Sequence, residues 1–227
     1  MKKAKMLIFD FDGTIIPSTV EGMLKVQSVL KAVGLPAADN ELIRKHWGEE
    51  FNKLSRLICK SVGATEEQIQ KFQELEKDFP VAYNFNLRIM YKLRCLRHKG
   101  YFLALATSRD RNSLVRICEI VKCDLGVFHH VQASEDNRHH KPDGRVFDKI
   151  VAAGAKDGYA PRIVYFGDTV RYDREAARNS GHSIKFVAVT SGVNTRSEFQ
   201  QAGVSRRSIL RSVDHVPEFL EKHFLQN

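Results

Sequence analysis

The sequence predicts an α/β protein: a doubly wound parallel sheet with a helical insertion near its start. Two observations carry that prediction. Apolar runs at Met6-Leu7-Ile8-Phe9, residues 101–106, Ile163-Val164-Tyr165-Phe166 and residues 185–189 recur with helical patterns between them. Strands apolar throughout belong to parallel sheets covered on both faces. Between the first two runs, residues 17–85 show helical periodicity without strand signals as far as residue 79.

The first strand runs into Asp10-Phe11-Asp12 and stops at Gly13-Thr14, which sets two carboxylates at its carboxyl end. That edge is where α/β sheets take their ligands. Carboxylates so close repel unless a cation or proton separates them. A nucleophile, a proton shuttle and a divalent metal form the natural chemistry; two solvated aspartates before a turn are the plain alternative. Ser18-Thr19-Val20-Glu21 has the form of a capping box, opening a helix with apolar Val20, Leu24, Val29 and Val33 that stops at Gly34 and Pro36. Asp39 can cap a short helix through Leu42 and Ile43, and Phe51, Leu54, Leu57 and Ile58 mark a third, ended by Gly63. Thr65-Glu66-Glu67-Gln68 is a second capping box, leading through Ile69, Phe72, Leu75 and Phe79 to Pro80. Four such helices make a small bundle.

From residue 86 helix and strand alternate. A helix with Leu87, Met90, Leu93 and Leu96 stops at Gly100 before the strand at 101–106. Helices near 112–122 and 143–153 flank a short strand near Val131, and another helix near 172–180 follows the strand at Ile163. After the strand at 185–189 come a helix near 196–202, a short strand at Ile209-Leu210 and a last helix near 216–224. The chain thus divides into a core, 1–16 and 86–227, and an insertion, 17–85.

Composition narrows the function. No apolar stretch reaches membrane-spanning length, and the basic start Met1-Lys2-Lys3-Ala4-Lys5 leads into the Asp-ended strand instead of a signal peptide, so the cytoplasm is the expected compartment. Cys59, Cys95, Cys118 and Cys123 lack metal-site or redox-pair spacing and fit buried thiols of a reducing compartment. The net charge of +9 sits on the core, because residues 17–85 hold nine Lys and Arg against ten Asp and Glu. A basic core suits an anionic substrate. The chain has no stripe of interleaved basic and aromatic residues, which argues against a nucleic-acid partner. Bundle helices and sheet edges are equally open to an oligomer interface.

The strand ends carry the chemistry. The second strand ends in Thr107-Ser108-Arg109 and the fourth in Gly167-Asp168-Thr169, with Asp173 five residues past Asp168 and Lys141-Pro142 between the two strands. Thr107 can donate to a phosphoryl oxygen, Lys141 can neutralise the nucleophile and the transferring group, and Asp168 is a hard oxygen ligand for Mg²⁺. In this order, Asp10-Phe11-Asp12-Gly13-Thr14, Thr107, Lys141-Pro142 and Gly167-Asp168 with Asp173 resemble the four motifs of the haloacid dehalogenase superfamily. The likeness is to its phosphoglycolate-phosphatase-like branch with a small helical cap, and it runs nearly the full length. Ala176-Ala177-Arg178-Asn179-Ser180-Gly181 also resembles a helix of that branch.

The resemblance implies a Rossmann-like core with residues 17–85 as its cap, and a Mg²⁺-dependent phosphatase acting on a small phosphorylated metabolite. Asp10 is then the nucleophile that forms an aspartyl-phosphate. Asp12 is the acid and base, with its main-chain carbonyl on the metal. Asp10, Asp12, Asp168 and Asp173 make up the metal set; Thr107, Ser108, Arg109 and Lys141 hold the phosphate. True dehalogenases of the superfamily lack an acid at the position of Asp12. Pro17-Ser18, Asn84-Phe85-Asn86 and Gly144 depart from the usual residues without removing a catalytic group. A phosphosugar mutase of the superfamily shares the intermediate, but mutases of this cap type carry a histidine twelve residues after the nucleophile, where this chain has Gly22. A non-catalytic binding or regulatory protein on the same fold would usually have lost one of the groups.

Arg44-Lys45-His46-Trp47 read as charges at a helix end with one packed Trp in preference to substrate contacts. His129-His130 and His139-His140 lack a companion at metal spacing and read as surface loop, although His140 adjoins Lys141. Arg109 suits a substrate phosphate or carboxylate and a surface ion pair equally.

Overall fold

The computed structural model describes residues 6–159 and 162–224; the basic start, 1–5, lies outside them. One sheet holds β1 (Met6–Phe9), β2 (Phe102–Ala106), β3 (His130–Gln132), β4 (Ile163–Gly167), β5 (Ile184–Val189) and β6 (Ile209–Leu210). Every neighbouring pair is parallel, and the order is 3-2-1-4-5-6. The winding reverses at β1, so the ligand crevice lies outside the carboxyl ends of β1 and its neighbours β2 and β4. Alternation explains why the runs are apolar throughout. Leu7, Phe9, Leu103 and Phe166 enter one core while Met6, Ile8, Ala104 and Tyr165 enter the other.

Residues 17–85 contain α1 (Thr19–Ala32), α2 (Asn40–His46), α3 (Phe51–Ser61) and α4 (Glu66–Asp78). Their inward faces meet in a cluster of their own, built on Val29, Leu30, Ile43, Ile58, Ile69 and Phe72. The sheet is covered on one face by α5 (Arg88–His98), α6 (Arg111–Val121) and α10 (Val216–Phe224), and on the other by α7 (Asp148–Lys156) and α8 (Glu175–Arg178). Phe199 of α9 (Arg196–Gln201) packs on Ala188 and Ile209 at the β6 edge.

Several local expectations are corrected. Ser18 caps nothing with its side chain; its hydroxyl donates to Asp12 Oδ1 at 2.7 Å, so a carboxylate outcompetes the helix end. The α1 stripe holds only in its second half: Val29 and Val33 are buried, joined by Val26 and Leu30, whereas Val20 and Leu24 are 67% and 63% exposed. Leu87 is exposed just ahead of α5. The segment expected to be helical from 143 opens as a 3₁₀ turn, Gly144–Phe147. The one expected from 172 opens as a π-helical turn, Val170–Arg174. His129 and His130 are not surface loop. His130 begins β3, and His129 stacks on Phe102 with ring centroids 5.0 Å apart while its Nδ1 accepts from the Leu103 N–H at 3.1 Å.

Arg44 ties the bundle to the sheet edge. Its guanidinium donates to Glu198 of α9 from two nitrogens, at 2.9 and 3.4 Å, and to the Val193 carbonyl at 3.2 Å. The Arg44 bond draws the Glu198 carboxyl from the usual 4.5 down to about 2. Since the folded value lies below the unfolded one, the stabilisation is complete above pH 4.5 and disappears as pH falls through about 2. Arg44→Ala is expected to cost roughly 0.2–1 kcal/mol at pH 7, the range for exposed pairs. That difference should shrink in acid, as read by urea unfolding of both proteins from pH 7 to pH 3.

Candidate active site

The loops leaving β1, β2, β3, β4 and β5 converge over the switch point. Asp10 follows β1, its N–H donating to the Phe166 carbonyl of β4 at 2.9 Å. Lys141, on the loop after β3, reaches between two carboxylates and donates to Asp10 Oδ1 at 2.5 Å and Asp173 Oδ1 at 2.8 Å, with its side chain 3% exposed. One carboxylate oxygen from each of Asp10, Asp168 and Asp173 lies within 4.8 Å of the other two. The π-helical turn folds Asp173 back beneath β4, where its Oδ2 accepts from the Thr169 N–H at 2.9 Å and hydroxyl at 2.6 Å. Tyr165, from inside β4, donates to Asp173 Oδ1 at 2.5 Å.

Two glycines cradle Asp168. A Cβ on Gly13 or Gly192 would overlap its Oδ2, and Gly13 also holds φ at +75°, a region natural to glycine. With both side chains absent, Asp168 Oδ2 accepts from the Val193 N–H at 2.8 Å. The Ser191 hydroxyl locks the two loops together by donating to the Gly13 carbonyl at 2.7 Å.

The charges show what the cluster lacks. Burial pushes the Asp10 carboxyl up to about 7, with Lys141 opposing the rise and Asp173 adding to it. Burial also lifts Asp168 well above the carboxylate range, reinforced by Asp173 and then Asp10. Burial works against Asp173 too, but Lys141 outweighs it and holds the group low. The Lys141 ammonium is desolvated, and Asp10 and Asp173 more than compensate, so it keeps its proton more tightly than a free lysine. Were all three carboxyls ionised, one ammonium would leave two negative charges unbalanced, which is why burial drives Asp10 and Asp168 toward their neutral forms. A hard divalent cation fits that deficit and that all-oxygen donor set.

Asp12 stands apart from the cluster. Arg109 grips it from two nitrogens, Nη2 to Oδ1 at 2.7 Å and Nε to Oδ2 at 2.9 Å, with Ser18 on Oδ1. Burial alone would raise the Asp12 carboxyl, yet Arg109 and Ser18 bring it below its ordinary value. Arg109 is thus a part-buried ion pair inside the site. Thr107, at the end of β2, has its N–H on the Gln132 carbonyl and its Oγ1 accepting from the Arg109 N–H at 3.1 Å. Asp12, Ser18, Thr107 and Arg109, with Ser108, Lys141 and the three clustered carboxylates, line a cavity of about 570 Å³ whose far wall comes from the bundle. Trp47 lines that wall, whereas Arg44 turns to Glu198, and the nearby His46 Nδ1 lies 3.3 Å from Glu49 Oε2.

Motif reading missed Tyr165, Ser18, Gly192 and the Val193 N–H. Gly192 had a signal: it lies just past the carboxyl end of β5, the edge already used for the other strands. Tyr165 had none, because a tyrosine within an apolar run reads as core.

The family model for haloacid dehalogenase-like hydrolases matches residues 7–189. The phosphoglycolate phosphatase of Aquifex aeolicus is 26% identical over 218 residues, covering 95% of this chain and all of that protein. A crystal structure described as a predicted phosphoglycolate phosphatase from Haemophilus somnus superposes with a TM-score of 0.78 at 23% identity, covering 96% of this chain and 98% of that one. A Thermotoga maritima protein provisionally assigned as a β-phosphoglucomutase gives 0.69 at 18%, covering 96% and 99%. At those identities the two structures speak for the fold. The chain belongs to the haloacid dehalogenase-like hydrolase family, on its phosphoglycolate-phosphatase-like branch, and is a phosphoric monoester hydrolase. Among the described residues, no helix is long and apolar enough to cross a membrane.

Proposed function

We propose that the protein hydrolyses a small-molecule phosphomonoester through a covalent aspartyl-phosphate on Asp10, with Mg²⁺ as its cofactor. The observation that carries this reading is Asp10 at the sheet's switch point, bonded to Lys141 and grouped with Asp168 and Asp173. Asp10, Asp168, Asp173 and the Asp12 main-chain carbonyl would hold the metal. When bound, Mg²⁺ supplies positive charge facing the phosphoryl oxygens.

The chain's own groups do the rest. Lys141 orients Asp10, whose carboxylate oxygen attacks phosphorus while the bond to the leaving oxygen breaks. Asp12 gives that oxygen its proton, then takes one from the water that attacks the aspartyl-phosphate, freeing Asp10 and inorganic phosphate. Thr107, Ser108 and Arg109 hold the phosphate. Arg109 has to leave Asp12 before Asp12 can carry a proton, and a phosphate dianion is a strong competing partner for the guanidinium.

Residues 17–85 act in this reading as a cap, and 1–16 with 86–227 as the catalytic core, since the cavity lies between the two. A cap over the site excludes water and large substrates. Gly22 supports hydrolysis over the mutase reaction: a side chain there would run into the Trp47 ring. The four free thiols, Cys59, Cys95, Cys118 and Cys123, support a cytoplasmic setting. Phosphate release from a panel of phosphomonoesters, with Mg²⁺ or with EDTA, tests the reading. Release that EDTA abolishes is the expected result, and no release from any ester with Mg²⁺ present would overturn it.

A further inference from the structure

We propose that the bundle wall of the cavity stacks a flat ring against Trp47. The substrate is then the phosphomonoester of an uncharged, ring-bearing alcohol, a nucleoside 5′-monophosphate being the plainest example, and not that of a small carboxylic acid. The inference rests on the phosphatase reading above and names its substrate class.

Size comes first. A cavity of about 570 Å³ is far larger than a phosphate on a two-carbon acid requires, and it falls within the range that holds drug-sized ligands. Charge comes second. A carboxylate on the leaving group would need a cation of its own; the buried and part-buried cations of the cavity are already matched, and the two others of its lining, Lys77 and Arg116, are exposed to solvent. Lys141 serves Asp10 and Asp173, Arg109 serves Asp12, and Lys25 lies 2.7 Å from Glu76, the two side chains 10% and 17% exposed. Glu49 and Glu50 add further negative charge to the same wall, and their carboxylates accept from ring N–H groups or sugar hydroxyls as readily as they repel an acid.

The third observation is the indole itself. Trp47 Cζ2 and Cη2 occupy the space a side chain at Gly22 would fill, so the ring lies directly on the α1 backbone. Held there, with Phe51 also on the wall, it offers an aromatic surface to the cavity from which no rotamer has to be frozen on binding.

Turnover of AMP and CMP should be compared with that of 2-phosphoglycolate, glycerol 3-phosphate and p-nitrophenyl phosphate. The ring-bearing nucleotides are expected to exceed the ring-free esters by roughly tenfold or more in kcat/KM. Trp47→Ala should erase that margin through KM, Trp47→Phe should keep most of it, and glycerol 3-phosphate should be indifferent to both. Binding supplies an independent reading, because Trp47 is the single tryptophan of the chain. AMP added to Asp10→Asn should quench its fluorescence, and 2-phosphoglycolate should not. A preference for 2-phosphoglycolate, a margin that survives Trp47→Ala, or quenching by the acid alone overturns the inference. If no ester is hydrolysed, p-nitrophenyl phosphate included, the phosphatase reading falls, and the fluorescence titration still decides whether a ring is bound.

Discussion

Replacing Asp10 by asparagine is expected to abolish phosphate release, by at least about 10⁴-fold in kcat, the scale seen when a nucleophile is removed. The amide matches the carboxylate in shape but cannot form the acyl-phosphate bond. Its oxygen still accepts from Lys141, which keeps Asp173 as a partner, so the fold should survive. Stability should move the other way from activity. The Asp10 carboxyl stands at about 7 in the folded protein against 3.8 ordinarily, chiefly through burial. A raised folded value means that the native state favours the neutral form. Stability contributed by Asp10 is therefore present in acid and lost as pH climbs from about 4 through about 7. In EDTA at pH 8 the asparagine variant should unfold at higher denaturant than the parent, and near pH 4 the two should converge. A variant less stable than its parent at pH 8 would show that Lys141 already compensates the Asp10 charge in full.

Lys141→Met is the second large effect, and here activity and stability fall together. The ammonium is the sole cation in contact with Asp10 and Asp173 among the described residues. Methionine fills the stem's volume and leaves the buried carboxylates facing one another. Breaking a buried pair in this way costs about 3–5 kcal/mol. In EDTA at pH 8 the loss should be largest; at pH 5 it should be smaller, because Asp10, raised to about 7, then holds a proton, and burial pushes Asp168 in the same direction. Mg²⁺ should restore part of it, visible as a larger thermal shift than in the parent. Phosphate release should drop about 10²–10³-fold, the usual range for losing one preorganised electrostatic group. Equal melting temperatures for variant and parent in EDTA would mean that the carboxylates are balanced by something other than Lys141.

The sheet was legible because its central strands, β1, β2 and β4, are buried on both faces, which leaves runs such as 102–106 with no polar residue to confuse the period. The residues at the strand ends were legible for the complementary reason: Asp10, Thr107 and Asp168 interrupt apolar runs at one edge. What periodicity could not show is which partner a polar group chooses. Ser18 looks like a helix cap until Asp12 lies within reach of its hydroxyl. The π-helical turn at Val170–Arg174 is equally hidden, since what it accommodates is the Asp173 carboxylate bonded to Thr169 and Tyr165. Arg109 was undecided on type alone, and its bidentate grip on Asp12 depends on residues 97 positions apart in the chain.

The pair of glycines around Asp168 also has a reading at the level of the gene. Any single-base missense change in a glycine codon yields a residue with a Cβ, and at either position that atom would sit on the Asp168 carboxylate. Gly13 and Gly192 therefore have no conservative neighbour in the genetic code. Random mutagenesis with selection for activity should leave both codons changed only in their silent third base, while Gly34 and Gly63, with open space around them, drift within the limits of their turns.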